Sequence, residues 1–421
     1  MDFKSIIKEQ REELEKIERE ETIIERAILE GSKNVLKYPN VLAILGIRRC
    51  GKSIFSYLLA KQHKFAYINF DDERLAGLKS EDLNRILESF YELYGDVEYI
   101  ILDEIQNVDK WELFVNRLRR TKKVILTGSN SKLLSGELST HLTGRYLDKL
   151  LFPFSFREFL KLKGFKESKA YTTQEKSQII GLLQEYLEIG GFPEAYKFGK
   201  AMISRIYEDI LTKDILLRYN INKKEEIKKL AKYLITNSSQ EITYSKLANI
   251  FNIKHVSTIS NWISYFEDSF LVFRLERFDF KLKQQFIAPK KVYCIDSGLM
   301  NSIGFKFSEN KGKVIENEVA LELQRMKAVD KNLEVYYWKD HQQNEVDFVL
   351  KRDRKIETLI QVSYITARDE IKEREIRALL KASKQLRCKN LLVITWDYEA
   401  EDVVDGADIK FIPLWKWLLM K

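Results

Sequence analysis

Cysteine, histidine and proline are scarce in this chain, and each scarcity closes a route. The three cysteines, Cys50, Cys294 and Cys388, are too far apart for a zinc spacing or a disulfide framework, and read as reduced thiols. The four histidines, His63, His141, His255 and His341, are equally scattered, so no metal site follows from Cys and His together. With 5 prolines and 17 glycines in 421 residues, no stretch is linker-like or of low complexity. No apolar run approaches the roughly 20 residues of a membrane span. The first residues, MDFKSIIKEQREELEKIEREE, are charged where a secretory signal would be apolar. A cytoplasmic protein with no membrane contact is expected.

What is present is core-forming material, 45% hydrophobic and 12% aromatic, in a chain long enough for two or three domains. The net charge of +8 is unevenly placed: residues 197–291 hold 18 Lys and Arg against 10 Asp and Glu, which accounts for the whole excess. That stretch is a candidate for non-specific nucleic-acid binding, with a solvated lysine-rich face as the alternative.

Residues 1–30 pattern as an amphipathic N-terminal helix packed on the next domain, with Ile6, Ile7, Leu14, Ile17, Ile24 and Ile28 along one stripe. Short runs follow, NVLAIL at 40–45, FAYINF at 65–70, VEYIILD at 97–103 and KVILTG at 123–128, separated by helical patterns. That alternation predicts a parallel sheet buried on both faces over 31–160. Pro153 opens a mostly helical region, 161–222. Over 223–300, three helices and two strands, LVFRLERF and KKVYCID, follow the winged-helix layout. Residues 301–421 read as a further α/β unit.

Gly46–Ser53, GIRRCGKS, fits GxxxxGK[ST] between a strand and a helix, the context a phosphate-binding loop requires. Backbone amides of Gly46, Ile47, Arg48, Arg49, Cys50, Gly51, Lys52, Ser53 and Ile54 would wrap an anion at a helix start. Lys52 would reach the β- and γ-phosphates of ATP, and the Ser53 hydroxyl would take one Mg2+ position. The run YIILDEIQNV ends in Asp103 and Glu104, two carboxylates costly to bury without a cation or nucleophile to serve. Asp103 is the expected metal ligand and Glu104 the group that polarises attacking water. The next run ends in Ser129 and Asn130, beside the γ-phosphate if its strand is central; a helix cap or turn is the alternative. Arg145 follows a glycine on a loop. There it would stabilise transition-state charge, in cis or across a subunit boundary, or be an ordinary surface residue.

In order and spacing, GIRRCGKS, LDEIQNVDKW, LTGSNSKLLSGELSTHLTGRY, LFPFSFREF and GGFPEAY resemble an AAA+ type ATPase family of archaea and bacteria whose members carry a C-terminal domain of unknown function. The resemblance spans nearly the whole chain. It implies Lys52 and Ser53 as Walker A, Asp103 and Glu104 as Walker B, Asn130 as sensor 1 and Arg145 as arginine finger, with room for a homo-oligomer. The client is left open.

The C-terminal region resembles the PD-(D/E)xK nuclease fold, with Glu316 or Glu318 on a helix and Asp347 on a strand. The closing (E/D)xK reads QVS, with Gln361 and Ser363 where a carboxylate and a lysine belong. A nuclease-like shell kept for binding or assembly is therefore expected, with an ATP-gated nuclease as the alternative. On the third winged-helix helix, Ser257, Thr258, Ser260, Asn261 and Tyr265 face outward without Lys or Arg. DNA contact would rest on Lys223, Lys224, Lys228, Lys229, Lys281 and Lys283.

Overall fold

A computed structural model describes residues 2–131, 142–168, 170–304 and 311–420. His141 and the middle of the LTGSNSKLLSGELSTHLTGRY motif lie outside them. The chain divides into two compact units, one made chiefly of residues 1–152 and the other chiefly of 153–421.

In the first unit the apolar runs become strands because each can be buried on both faces. β1 (Val41–Leu45) and β3 (Tyr99–Asp103) are buried at every position, and β2 (Phe65–Asn69) and β4 (Lys123–Gly128) at all but one end residue. A fifth strand, β5 (Tyr146–Leu150), joins them in the order β2-β3-β4-β1-β5. Every pairing is parallel, with Leu42 opposite Ile125 and Leu42 also opposite Leu147. The intervening segments α3 (Lys52–Ala60), α4 (Asp82–Tyr94) and α5 (Trp111–Leu118) form the crossovers. One core joins the strands to Leu83, Ile86 and Phe90 of α4 and to Trp111 and Val115 of α5.

The amino-terminal helix is shorter than the expected 1–30. α1 (Phe3–Glu20) is capped by the Asp2 carboxylate and buries Phe3, Ile6, Ile7 and Leu14. Residues 22–26, with the β-branched Thr22, Ile23 and Ile24, then lie in neither helix nor strand before α2 (Leu29–Val35).

In the second unit, helices Thr173–Ile189, Pro193–Phe198 and Ala201–Asp209 fill the region expected to be helical. Three helices, Lys224–Thr236, Tyr244–Ile250 and Val256–Asp268, precede β7 (Val272–Leu275) and β8 (Lys290–Cys294). β6 (Gln240–Ile242) pairs with β8 as well, so the ribbon is a three-stranded antiparallel sheet, β6-β8-β7.

The remainder is a mixed sheet of six strands in the order β13-β14-β12-β11-β10-β9. They are β9 (Leu333–Lys339), β10 (Glu345–Arg352), β11 (Lys355–Val362), β12 (Leu391–Thr395), β13 (Ala400–Val404) and β14 (Ala407–Pro413). Apolar cores cover both faces of this sheet, one built on helix Lys311–Val329 and the other on helix Glu373–Leu386.

The GGFP turn is fixed by contact. Gly191 N donates to Asp296 Oδ2 at 2.6 Å, and Phe154 N donates to Gly191 O at 2.7 Å. A Cβ on Gly191 would stand 2.3 Å from Phe154 O. Gly191→Ala should therefore lower stability by about 1–3 kcal/mol through forced backbone movement. Gly181→Ala, in a helix where a Cβ meets nothing within 4 Å, should be neutral or slightly stabilising. Urea midpoints of the two variants check the contrast.

Candidate active site

The phosphate-loop sequence turns between β1 and α3, and its geometry requires its glycines. Gly51 has φ +97°, and a Cβ on Gly46 would stand 2.1 Å from Leu151 O. The loop is braced from beneath. Arg26 donates from Nη1 to Cys50 O at 3.0 Å and from Nη2 to Phe152 O at 2.5 Å, and the Cys50 thiol meets Leu151 O at 3.2 Å. Burial pushes that thiol above its ordinary range, so Cys50 packs and does not react.

Lys52 opens α3 and is buried. Its Nζ donates to Gly46 O at 3.1 Å and Ile47 O at 3.3 Å, and stands 3.2 Å from Glu104 Oε1. Arg48 pairs with Asp71 at 2.8 Å.

Asp103 ends β3. Its carboxylate accepts from Tyr67 OH at 2.7 Å and from Thr127 Oγ1. Burial first, and the Glu104 charge second, push this carboxyl up, while the hydroxyls of Ser53, Thr127 and Tyr67 pull it back. Glu104 adopts φ +52°, a left-handed backbone that costs a non-glycine residue about 1 kcal/mol or more. The turn aims its carboxylate at Lys52, with Oε2 accepting from Ser129 N at 3.1 Å and Gln106 Nε2 at 2.5 Å. Burial acts to raise this carboxyl, but Lys52, Arg48 and Gln106 override it and hold it down to about 2.

β4 lies between β3 and β1, which places Ser129 and Asn130, both fully buried, between the carboxylates and the loop. Lys52, Ser53, Asp103, Glu104 and the Ser129–Asn130 pair thus converge at one end of the sheet. Arg145 is not among them. It precedes β5, its carbonyl accepts from Val41 N at 3.0 Å, and its exposed side chain faces Asn116. β1 starts beside Arg145 and reaches the phosphate loop only at its other end, about 16 Å away. Within one chain this arrangement removes the cis role for Arg145.

The arrangement fits a small, hard cation. Ser53 and Asp103 offer two oxygens side by side, the sparse protein ligation usual for Mg2+ when phosphates and waters complete its shell. Among the described residues no group of three or more His, Cys, Asp or Glu could hold a metal unaided. Arg26, Tyr67 and Thr127 are the contributors that motif reading misses. Tyr67 and Thr127 sit inside recognised strands, but only the register, with Ile68 opposite Leu102 in the next strand, shows that they reach Asp103.

Of the basic stretch, Lys223, Lys224, Lys229, Lys281 and Lys283 are exposed and Lys228 is half-buried. Lys291 is not a surface cation. It is 2% exposed and surrounded by carboxylates. Ser257 and Asn261 are exposed, whereas Tyr265 is stacked on Tyr219 with ring centroids 3.8 Å apart. Glu316 and Glu318 part company: Glu316 joins Asp347 around Lys291, and Glu318 pairs with Arg325. Among the described residues no helix is long and apolar enough to cross a membrane.

Residues 38–160 match the family described as AAA domain, and residues 180–310 and 311–417 match two domains of unknown function, DUF8612 and DUF4143. A Haemophilus influenzae protein described as uncharacterized is 28% identical over 89% of this chain and 94% of its own length. The solved Walker-type ATPase PABY2304 of Pyrococcus abyssi aligns over 67% of this chain and 96% of that one, at 14% identity and a TM-score of 0.45. The uncharacterized protein MJ1544 of Methanocaldococcus jannaschii is 38% identical over 90% of this chain and 89% of its own length. This chain belongs to the same family as that archaeal protein, with an AAA domain at residues 38–160.

Proposed function

We propose that the chain binds Mg·ATP at Gly46–Ser53 and hydrolyses it. The observation that carries this is the Lys52–Glu104 pair, an ammonium and a carboxylate held 3.2 Å apart beside the Ser53–Asp103 oxygens. Without nucleotide, Lys52 is occupied by two loop carbonyls and by Glu104. A triphosphate offers it a stronger partner. Lys52 then turns to the β- and γ-oxygens, and Glu104, released but still anchored by Ser129 N, is free to orient water toward the γ-phosphorus. Ser53 and Asp103 would hold a Mg2+ ion, which would supply charge neutralisation on the same phosphates. Asn130 acts as the sensor of the γ-phosphate, and Arg145 can serve only the site of a neighbouring copy.

In this reading, turnover changes the placement of a helical region at 161–222, a winged helix at 223–300 and a nuclease-like α/β domain at 301–421. Phosphate release should require Mg2+ and vanish in Lys52→Ala. Calorimetry on the wild type should show heat on adding Mg·ATP. Turnover that survives the substitution, or a folded wild type that takes up no nucleotide, overturns the reading.

Non-specific DNA binding is the favoured second element, because Lys223, Lys224 and Lys229 stand exposed at the start of helix Lys224–Thr236, and Lys281 and Lys283 at the start of helix Leu282–Ile287 between β7 and β8. ATPase rates with double-stranded DNA, single-stranded DNA and RNA at two salt concentrations test it. Stimulation that falls with salt is expected for DNA. Rates indifferent to every polyanion would favour a nucleotide-bound scaffold for protein partners.

A further inference from the structure

In the second unit, the connection between β7 and β8 carries a helix that is turned inside out. Tyr337 clips both ends of that connection: its carbonyl accepts from Phe278 N at 2.7 Å, and its hydroxyl donates to Pro289 O at 2.6 Å. Phe278 is buried in a core with Trp338 and Val346, and Ala288 is buried as well. Between these anchors stands helix Leu282–Ile287, of which no residue is buried. Its glutamines form the better-covered side: Gln284 and Gln285 are half-buried, and Gln285 Nε2 donates to Asp279 O at 2.7 Å. Its large apolar side chains face water. Leu282, Phe286 and Ile287 are 61%, 62% and 67% exposed, and Phe280, just ahead of the helix, is 72% exposed.

Single exposed apolar residues are ordinary, but four within eight positions, on a segment fastened at both ends, imply a partner. Its chemistry follows from charge and shape. Lys281 and Lys283 are exposed among the apolar four, Asp279 is the one acid of residues 278–290, and the stretch 197–291 holds the whole positive excess of the chain. An anionic partner is matched, whereas a second copy docking by the same patch about a two-fold axis would set lysine against lysine. The apolar side chains also point several ways. Leu282 and Phe286 share one side a turn apart, Ile287 lies about 100° further round and Phe280 precedes the helix, so a flat groove would cover only part of them. A fluid surface closes around all four. Duplex DNA would take up the charge of the lysines and leave the apolar side chains in water.

We propose that segment 280–287 is a docking surface for an anionic phospholipid bilayer. Phe280, Leu282, Phe286 and Ile287 enter the boundary between headgroups and acyl chains, and Lys281 and Lys283 pair with lipid phosphates. Lysine stems are long enough to keep their ammonium groups at headgroup level while the neighbouring side chains go deeper. Lying on a bilayer asks for no spanning helix.

The test is co-sedimentation of the full-length protein, without nucleotide, with vesicles of equal parts phosphatidylcholine and phosphatidylglycerol, or of phosphatidylcholine alone. The wild type should pellet with the first and bind the second at least about tenfold more weakly. Leu282→Ser/Phe286→Ser keeps every charge and should lose at least about tenfold in affinity for the anionic vesicles, while any affinity for duplex DNA stays as in the wild type. Lys281→Gln/Lys283→Gln should lose roughly 30-fold, and its residual binding should depend less on salt. The substituted side chains are exposed, so urea midpoints should match the wild type; if that of the serine pair shifts, Ile287→Asn carries the comparison. A wild type that ignores anionic vesicles, or a serine variant that pellets with them like the wild type, overturns the proposal. A serine variant that loses DNA in place of vesicles overturns it too, and assigns the patch to nucleic acid.

Discussion

Glu104→Gln should cut steady-state ATP hydrolysis by about 100- to 10,000-fold, the usual contribution of a general base, without weakening ATP binding. The amide keeps the shape and the anchor at Ser129 N but cannot take a proton from water. Binding is spared because the pair that loses its charge is the one nucleotide must break: with Glu104 neutral, Lys52 has one fewer partner to give up. Parallel phosphate-release and calorimetric measurements on the variant separate these effects. A variant that turns over normally would remove Glu104 from the chemistry. One that binds ATP much more weakly would make the carboxylate a structural brace of the loop.

Arg325→Met should be the most damaging substitution in the second unit, at about 3–5 kcal/mol, because it strands buried charge. The guanidinium stands 3.2 Å from Glu318 and 3.1 Å from Glu322 and donates to Phe154 O at 3.3 Å. Tyr186 OH stands 3.0 Å from the same Glu318 oxygen. Burial pushes Glu318 up to about 7, against the pull of Arg325. A carboxyl raised in the folded state favours folding fully below its unfolded value of 4.5, and that contribution is lost as pH rises through about 7. Without Arg325 the rise is larger. The deficit of the variant, read from urea midpoints, should therefore be small below pH 4.5 and grow toward neutrality. Adding Glu318→Gln to Arg325→Met should recover part of it. A deficit that is flat across this range would mean that lost packing, not charge, sets the cost.

The parts of the fold legible in the sequence are those where burial is complete. β1 to β4 announce themselves as apolar runs because nearly every side chain is inside. β5, YLDKL, lies at the sheet edge with no residue fully buried, so its pattern is that of a loop. β13, AEDVV, escapes for the same reason, and β14, ADIKFIP, because Asp408 and Lys410 interrupt its buried Ile409 and Phe411. Within the candidate site, motif spacing finds Lys52, Ser53, Asp103 and Glu104, and misses the side chains that hold them. Tyr67 is 36 residues from Asp103 and Arg26 is 24 from Cys50, separations across which no local pattern operates. Lys291 is the sharpest case. In sequence it sits in a lysine-rich run and reads as solvated; only partners 25 and 56 residues away reveal an interior group. Choosing between Glu316 and Glu318 is beyond sequence for a simpler reason. Two positions apart on a helix they face nearly opposite ways, and neither is at the surface: Glu318 is fully buried and Glu316 half-buried.

Arg26 lies twelve residues ahead of the segment that matches an AAA domain, yet it grips the underside of the phosphate loop, while α1 buries its apolar stripe in the same core. The phosphate-loop site is thus not a cassette that can be cut out at its homology boundary. A fragment beginning at residue 38 would lose this brace and uncover Leu83 and Phe90. Anyone transplanting the module, or trimming it for crystallisation, would have to carry the leading residues along.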